Sequence, residues 1–592
     1  MMKRKERKAS SSTAWAAIGL GCLFLAMVAY LVSENWAWGC EKDKLQAFRA
    51  AQCLRGLVGA RADPPEGVTV QSGFPVVTAD VHCSSGVMYD LDGDGKQEAI
   101  FGASQAPGSG VGKAFDSVWA VKGDGKCLAK WPITIPSHVC SGPAVGDITS
   151  ASSGVEVVFG SNQDPGNDAQ RPDHRVYAVD KNGSPVSGFP KSLDAGKAMG
   201  IPTLANVDLD AQLEILIGTA GYWTENESHV ITQNAGKIAA LDGDGAIVNG
   251  WDKTLTNQIV LNSAAVGDLY EDGQSYVGAE VVFVVSEYAN PTGQQTKPTY
   301  WQRICVFASH GTIMCSLDLD NDNNDVRCYA VGYGASSPAI GKLRSYLDVK
   351  IKSNLVVLTE DWFGGQTVSA GKIKIYHVAS VNNVLTLVED YTKTATEQTA
   401  TCTGDSSDED KYYDRFVSSP CIADLDNDDD NEVVAFSRNG ELYVAYYNTG
   451  TSSWVCRNKT VVTCASTQTP CSNLKMGGPI AADIDDDGDL EIIVSAFEPR
   501  GGGDPYIRVY EYDTSDPYID EKFAIQLDSS VAGTIFAGNM DDDGQVEKVE
   551  IVAPAYNFGG RVWAYEFDDS DYDSSAGWWC ECGNAARTSC AD

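Results

Sequence analysis

Short apolar segments with strand-like alternation recur from residue 68 almost to the C-terminus, bounded by glycine, proline, asparagine or aspartate. Several of them run into a tight turn, such as the Lys-Gly-Asp-Gly of residues 122–125, whose residues suit the positive φ angles of hairpins. The pattern predicts an all-β fold of short antiparallel strands. Eight segments of one kind can be aligned: 118–121, 176–179, 238–241, 304–307, 373–376, 442–445, 507–510 and 562–565.

Each aligned segment belongs to a repeated unit of about 56 to 82 residues, a period typical of propellers or solenoids. A unit has a small or proline-containing first strand, an acidic loop, an apolar second strand, the aligned third strand and an outer strand that ends in an aromatic residue. Four antiparallel strands per unit are typical of a propeller blade. We therefore predict an eight-bladed β-propeller over residues 67–568, with seven blades as the alternative.

The ring also needs a closure. Residues 72–75 repeat the Ser-Gly-Phe-Pro of residues 187–190, yet no unit precedes them. We expect this N-terminal strand to complete the last blade, which would remove two sheet edges. The alternative is that Gly577 and Trp578 supply the fourth strand of that blade. Residues 569–592 are otherwise predicted to be a cysteine-rich C-terminal tail.

The N-terminal region has a different pattern. Residues 1–13 are basic, and residues 14–32 carry no charge over a length that can span a bilayer as a helix. This predicts a transmembrane signal anchor with its N-terminus in the cytoplasm and the rest of the chain at the cell surface. The alternative is secretion after signal cleavage, because the small residues Ala37 and Gly39 precede Cys40 at suitable offsets. Residues 33–66 are predicted to be a stalk helix and a linker.

Composition adds two constraints. The formal net charge of -37 disfavours nucleic acid as a partner and favours cations. The 17 cysteines indicate an oxidising compartment with disulfides, and zinc is the alternative, although no two CxxC units occur. Plausible bridges are Cys40 with Cys53, Cys315 with Cys328, and pairs within the groups Cys456, Cys464, Cys471 and Cys580, Cys582, Cys590.

Five acidic loops between first and second strands carry oxygen side chains at positions 1, 3, 5 and 9. Calcium takes six to eight oxygen ligands, and steps of two can turn successive carboxylates inward. Solvated acidic turns are the alternative, but five loops share one register before a strand. The predicted ligands of about five Ca²⁺ ions are Asp90, Asp92, Asp94 and Glu98; Asn206, Asp208, Asp210 and Glu214; Asp424, Asp426, Asp428 and Glu432; Asp483, Asp485, Asp487 and Glu491; and Asn539, Asp541, Asp543 and Glu547.

The loops are not equally regular. Glycine stands at position 6 in three of them, whereas Ala211 and Asp429 stand there in the other two. An EF-hand is excluded, because position 12 is Phe101 in the first loop and Val494 in the fourth, and no flanking helices are predicted. The units that begin near Asp147, Asp268 and Lys342 have lost the pattern, and we expect them to bind no ion.

The acidic loops, together with Phe-Gly-Ala at 101–103 and Phe-Gly-Ser at 159–161, resemble the FG-GAP (VCBS) repeats of integrin α-subunit propellers and of many secreted propeller proteins. The resemblance implies calcium loops on one face of the disc and partner contacts on the opposite face. Integrin propellers have seven blades rather than eight. The loops implied to meet partners are 104–116, 161–174, 219–235, 287–301 and 361–371.

These observations favour a membrane-tethered extracellular module for adhesion, recognition or surface assembly, with protein or glycan partners. One alternative is an enzyme, a calcium-dependent polysaccharide lyase, since some lyases resemble this chain in having eight blades and calcium. That chemistry needs a base and a cationic group beside a uronate, and the sequence singles out no such pair. A second alternative is a homo-oligomeric subunit of a surface filament or array.

Overall fold

The computed structural model divides the chain into residues 1–60 and 61–592. The predicted basic segment, membrane anchor and stalk helix lie outside the described residues. Within the described part, no helix is both long and apolar enough to cross a bilayer. The described residues are 64–78, 84–103, 116–136, 139, 141–150, 154–161, 175–193, 198, 200–208, 210–219, 223–225, 231–233, 236–255, 258–271, 279–289, 299–314, 329–332, 336–359, 371–381, 384–394, 418–437, 440–461, 475–497, 505–512, 518–527, 530–531, 534–541, 547–556, 561–568, 570, 572, 577–580 and 582–584.

The described secondary structure consists of β-strands. The first strands in chain order are β1 Val68–Val70, β2 Val76–Val77, β3 Val87–Tyr89, β4 Glu98–Ala103, β5 Ser117–Val121, β6 Ile133–Thr134, β7 Ala144–Gly146, β8 Glu156–Gly160, β9 Arg175–Asp180, β10 Lys191–Ser192, β11 Thr203–Ala205, β12 Glu214–Gly218, β13 Trp223–Glu225, β14 Ile231–Gln233, β15 Gly236–Leu241 and β16 Lys253–Leu255. The middle strands are β17 Gln258–Ile259, β18 Ala265–Gly267, β19 Glu280–Ala289, β20 Thr299–Phe307, β21 Tyr329–Gly332, β22 Ala339–Gly341, β23 Asn354–Thr359, β24 Lys372–Val381 and β25 Val384–Thr394. The last strands are β26 Cys421–Ala423, β27 Glu432–Phe436, β28 Glu441–Asn448, β29 Ser453–Thr460, β30 Lys475–Met476, β31 Ile480–Ala482, β32 Glu491–Phe497, β33 Tyr506–Tyr512, β34 Ile519–Gln526, β35 Ser530–Val531, β36 Phe536–Gly538, β37 Glu550–Tyr556 and β38 Arg561–Phe567.

The strands form eight antiparallel sheets with four strand positions each, numbered here as blades 1 to 8 along the chain. In blades 4, 7 and 8 the first position is split into two short strands, and β13 with β14 is a separate hairpin inserted in blade 3. The eight aligned sequence segments all fall in third strands. The prediction of an all-β, eight-bladed propeller is therefore confirmed, and the seven-bladed alternative is wrong.

The N-terminal strands close the ring, as the repeated Ser-Gly-Phe-Pro predicts. Strand β1 pairs antiparallel with β38, with Val68 opposite Phe567, and β2 pairs with the same strand, with Val76 opposite Val562. Blade 8 is thus built from both ends of the repeat region. The alternative, in which Gly577 and Trp578 form its fourth strand, is wrong.

The C-terminal tail instead packs against first strands. The backbone of Trp578 forms a bridge with Ala481 of β31, with N–O distances of 2.9 and 3.1 Å, and Ala537 of β36 donates to the carbonyl of Trp579 at 2.9 Å. Cys580 joins the apolar cluster of blades 8, 1 and 2. First strands of neighbouring blades contact each other, β36 against β3 included. The tail therefore lines the centre of the ring, where first strands meet.

The Phe-Gly pairs at the ends of β4 and β8 have a clear packing role. Phe101 stacks on Trp119 of the third strand at a centroid distance of 6.5 Å, and Phe159 stacks on Tyr177 at 5.3 Å. A Cβ atom at Gly102 would lie 2.7 Å from a Val139 methyl group, so a side chain there would clash with the segment that enters the next blade. The phenylalanine fills the core between strands, and the glycine lets neighbouring blades approach closely.

Candidate metal sites

One buried carboxylate or amide begins the second strand of every blade. Its side-chain oxygen accepts a hydrogen bond from a backbone N–H in the preceding loop, at 2.6 to 3.4 Å. The eight residues are Glu98, Glu156, Glu214, Glu280, Asn354, Glu432, Glu491 and Glu550. This bond satisfies a loop N–H that would otherwise be buried without a partner. The residue that starts the second strand, which is position 9 in the loops of blades 1, 3, 6 and 7, is therefore a structural element of all eight blades, including those without the acidic loop.

The first aspartate of a loop caps its turn. Asp90 accepts the N–H of Gly95 at 2.9 Å, and Asp483 accepts that of Gly488 at 3.1 Å. Position 6 has a positive φ in three loops, at 88° for Gly95, 93° for Gly488 and 71° for Asp429. Aspartate tolerates this left-handed conformation better than most residues do. The blade 6 loop therefore keeps the sharp turn at position 6, although Asp429 stands there instead of glycine.

Four of the five predicted loops bring three carboxylates together, with one oxygen of each within 4.8 Å of the other two. Oxygens on opposite sides of a Ca²⁺ ion, each 2.3 to 2.6 Å from it, are separated by about 4.6 to 5.2 Å. The spacing therefore fits a shared cation. The clustered residues are Asp90, Asp92 and Asp94 in blade 1; Asp208, Asp210 and Glu214 in blade 3; Asp424, Asp426 and Glu432 in blade 6; and Asp483, Asp485 and Glu491 in blade 7.

The other predicted ligands of these loops lie beside the clusters. Asn206 donates to the backbone carbonyl of Asp210 at 2.5 Å, and the N–H of Asp428 donates to Asp424 at 3.0 Å. Glu98 is 1% exposed, and its Oε1 atom has no hydrogen-bond partner although Oε2 is bonded to the loop. A buried, unbonded carboxylate oxygen is costly without a cation, so Glu98 is suited to complete the blade 1 site.

The fifth loop, in blade 8, departs from the predicted ligand set. Asp543 lies outside the described residues, and Glu547 forms an ion pair with Lys96 of blade 1 at 2.7 Å. The carboxylates that come together are Asp541, Glu550 and Glu566, the last from the third strand. The structure gives the strand-starting position to Glu550, which the sequence spacing had given to Glu547.

Burial controls the electrostatics of the position 9 glutamates. Burial is the largest cause of the raised pKa of each of these glutamates, and the pKa of Glu98, Glu214 and Glu491 rises to about 7. The pKa of Glu432, the most strongly affected, rises to about 9, with further contributions from neighbouring aspartates. Desolvation disfavours the charged form of an acid. A cation in these loops would offset that penalty.

The loops also join neighbouring blades. Backbone N–H groups just before a second strand donate to carbonyls in the loop of the preceding blade: Gln97 to Asn539 at 2.8 Å, Leu213 to Asp147 at 3.0 Å and Leu490 to Leu425 at 3.1 Å. The Gln97 bond crosses the seam between blades 8 and 1. Any cation that orders these loops would therefore stabilise contacts between blades as well as the turn itself.

Blade 5 has a hydrogen-bonded network where other blades have the acidic loop. Asp390 of β25 is paired with Arg344 and Tyr346 of the loop at 2.9 and 2.5 Å, and with His377 of β24 at 2.9 Å. Burial acts to raise the pKa of Asp390, but the bonds from His377 and Tyr346 outweigh it and lower the pKa overall. A guanidinium group thus supplies the positive charge in this blade, in keeping with its lost metal motif.

Some sequence predictions fall on residues that the structure does not describe. These include most of the residues in the loops implied to meet partners, and most of the proposed disulfide partners. Two of those loops are partly described: 219–235 contains the hairpin of β13 and β14, and 287–301 contains the facing ends of β19 and β20. Cys456, on β29, has a free thiol, whereas Cys464 and Cys471 lie outside the described residues. The disulfides and the partner loops remain predictions.

Comparison with known families supports the repeat assignment. A family model described as an FG-GAP-like repeat matches residues 424–494, from the loop of blade 6 to the second strand of blade 7. Together with the eight-bladed fold, this confirms the predicted FG-GAP/VCBS type of β-propeller. No curated protein matches the sequence significantly.

Solved structures with a similar arrangement are distant in sequence. BBS1N in complex with ARL6DN has 11% identity and a TM-score of 0.37, covering 85% of this chain and 97% of that one. Rhamnogalacturonan lyase YesW has 14% identity and a TM-score of 0.29, with 82% and 90% covered. The NanB sialidase from Streptococcus pneumoniae has 10% identity and a TM-score of 0.29, with 85% and 71% covered. The fold assignment therefore rests on the strand pairing and the repeat match.

Proposed function

We propose that this protein is a calcium-stabilised β-propeller that acts as a recognition or assembly module outside the cytoplasm. The observation that carries the calcium part is the convergence of three carboxylates within 4.8 Å in four loops of the same register. Calcium is favoured over softer metals because every donor is an oxygen. In this proposal the ion supplies positive charge to the loop, and the chain's own residues fix the turn.

The role of the ions is structural in this proposal. The buried glutamates hold the loop backbone, and the loop N–H groups bond to the preceding blade. A cation between the carboxylates would relieve their mutual repulsion and rigidify both contacts. The face that carries the loops would be fixed, and recognition would fall to the loops on the opposite face.

The remaining parts of the proposal rest on the sequence. The uncharged stretch at residues 14–32 supports a membrane tether, and the charge of -37 supports a surface that repels phosphate backbones. Protein or glycan partners fit long loops of varied length between second and third strands. Labelling of intact cells with a membrane-impermeant reagent tests the location, because a cytoplasmic propeller would stay unlabelled.

Recognition is tested with the full-length chain in mild detergent on glycan and protein arrays, in calcium and in EDTA. A parallel assay for unsaturated uronate products on acidic polysaccharides separates binding from lyase chemistry. The proposal expects calcium-dependent binding without product. Formation of unsaturated uronate products by the highly purified protein would contradict the proposal and favour an enzyme.

A further inference from the structure

Two of the acidic loops contain a lysine ammonium group among their carboxylates. In blade 1, the Nζ atom of Lys122 lies 2.7 Å from Asp92, 2.7 Å from Asp94 and 3.9 Å from Oε1 of Glu98. That Oε1 atom is the buried oxygen without a hydrogen-bond partner. A cation is therefore already directed at the oxygens that would hold a metal ion.

Blade 7 also has a lysine ammonium group among its loop carboxylates, but this lysine comes from a different position in the blade. Lys522, on the fourth strand β34, lies 2.7 Å from Asp485 and 2.8 Å from Glu491, and its Nζ atom is 3.7 Å from both Asp487 and Glu511. Glu491 has a fully buried side chain, and the Lys522 side chain is only 17% exposed. Two different positions in the fold thus bring an ammonium group to the same place.

Blades 3 and 6 differ at the corresponding positions. In each blade, the residue after the position 9 glutamate pairs with a residue of the third strand, and the position that follows this partner can be compared between blades. That position is Lys122 in blade 1, Asp242 in blade 3 and Tyr446 in blade 6. Among the described residues, no lysine or arginine pairs with the position 9 glutamate of these two blades. Blade 3 even has a carboxylate where blade 1 has an ammonium group.

We propose that Lys122 and Lys522 are tethered counter-cations, which hold the loops of blades 1 and 7 in shape without a metal ion and compete with calcium there. The loops of blades 3 and 6, where no described lysine or arginine pairs with the position 9 glutamate, depend on the bound ion and have the higher calcium affinity. This inference rests on the proposed function, since it assigns unequal roles to the proposed calcium sites. The propeller would then keep part of its loop face ordered at low calcium.

The test uses the full-length chain in mild detergent, with calcium affinities from calorimetric titration and melting temperatures in EDTA and in excess calcium. Removing an ammonium group a few ångströms from a bound ion should raise the affinity of one site by about tenfold or more. K122M and K522M should each show this gain and a lower melting temperature in EDTA. In excess calcium they should melt as wild type does, which shows that they fold.

The converse variant is D242K, which places a lysine in blade 3 at the position of Lys122. It should lower the affinity of one site and raise the melting temperature in EDTA. K374M is the matched control, because Lys374 is also 17% exposed and pairs with Glu389 at 3.2 Å in a blade without the loop. K122R and K522R, which keep the charge, should behave as wild type does.

The outcomes separate the two proposals. If K122M, K522M and D242K leave the calcium affinities unchanged, as K374M does, the proposal of tethered counter-cations is wrong and the calcium proposal stands. A wild-type chain that binds no calcium would overturn the calcium proposal itself.

Discussion

The C-terminal tail offers the sharpest test of the architecture, because its described residues contact first strands of two blades at the centre of the ring. Trp578 is 2% exposed and packs in the apolar cluster of blades 5 to 7. Burying about 200 Å² of a tryptophan at about 25 cal/mol per Å² is worth about 5 kcal/mol. Truncation of buried aromatic residues to alanine costs about 3 to 5 kcal/mol. W578A should therefore release the tail.

The assay should be local, since a chain of this size rarely unfolds in two states. Hydrogen exchange of peptides covering Ile480–Ala482 and Phe536–Gly538 reports on the amides of Ala481 and Ala537, which donate to the tail. A loss of about 3 kcal/mol corresponds to exchange about a hundredfold faster. Y518A, at a side chain that is 68% exposed, is the control. Unchanged protection of both strands in W578A would refute the placement of the tail.

Three further predictions follow from single residues. Burial raises the pKa of Glu280 in blade 4 to about 7, so the native state binds more protons than the unfolded state between about pH 4.5 and pH 7, and stability falls as pH rises through that window. E280Q should remove up to about 3 kcal/mol of this loss in the free energy of unfolding between about pH 4.5 and pH 7. Denaturant titrations that show the same pH dependence for E280Q and wild type would contradict the prediction. D390N should destabilise blade 5 by about 3 kcal/mol, because it removes the carboxylate that pairs with Arg344 and His377; the loss should persist in excess calcium, and rescue by calcium would contradict the account. D426N should remove one calcium ion from the count in native mass spectrometry while D124N, in a hairpin turn, removes none; equal counts would argue against the blade 6 site.

The sequence was sufficient for the architecture because each blade repeats the same pattern. The third strands follow from alternation, and the repeated Ser-Gly-Phe-Pro makes the N-terminal strand a candidate to close the ring. The choice between the N-terminal strand and Trp578 for the last blade could not be made from pattern alone, since both carry an aromatic residue in strand-like text. Only the pairing of Val68 with Phe567 decides it.

The sites were less predictable because spacing along the chain misses contacts across strands. Glu547 matched position 9 by count, but three extra residues shift the strand start to Glu550. Glu566 and Lys522 enter the loops from later strands, and no local motif marks them. A signal for the strand-starting role was present, however: Glu156, Glu280 and Asn354 also stand at the start of apolar second strands in the units that lost the acidic pattern.

Blade 5 shows how a repeat can lose its acidic loop and keep its shape. Its loop supplies Arg344 and Tyr346 where other blades supply aspartates, and Asp390 on the fourth strand receives them. Arg344 also lies over the ring of Tyr447 in blade 6 at 5.0 Å, which links the two blades. Cation–π and ion-pair contacts here replace what a bound ion is proposed to do elsewhere.

The most direct test of the central claim is a calcium titration of the full-length chain in mild detergent, with heat of binding, ion count and melting temperature measured on the same sample. We expect at least the four sites whose carboxylates converge, and a melting temperature that rises with calcium and falls in EDTA. No bound calcium, with identical melting curves in calcium and in EDTA, would contradict the account.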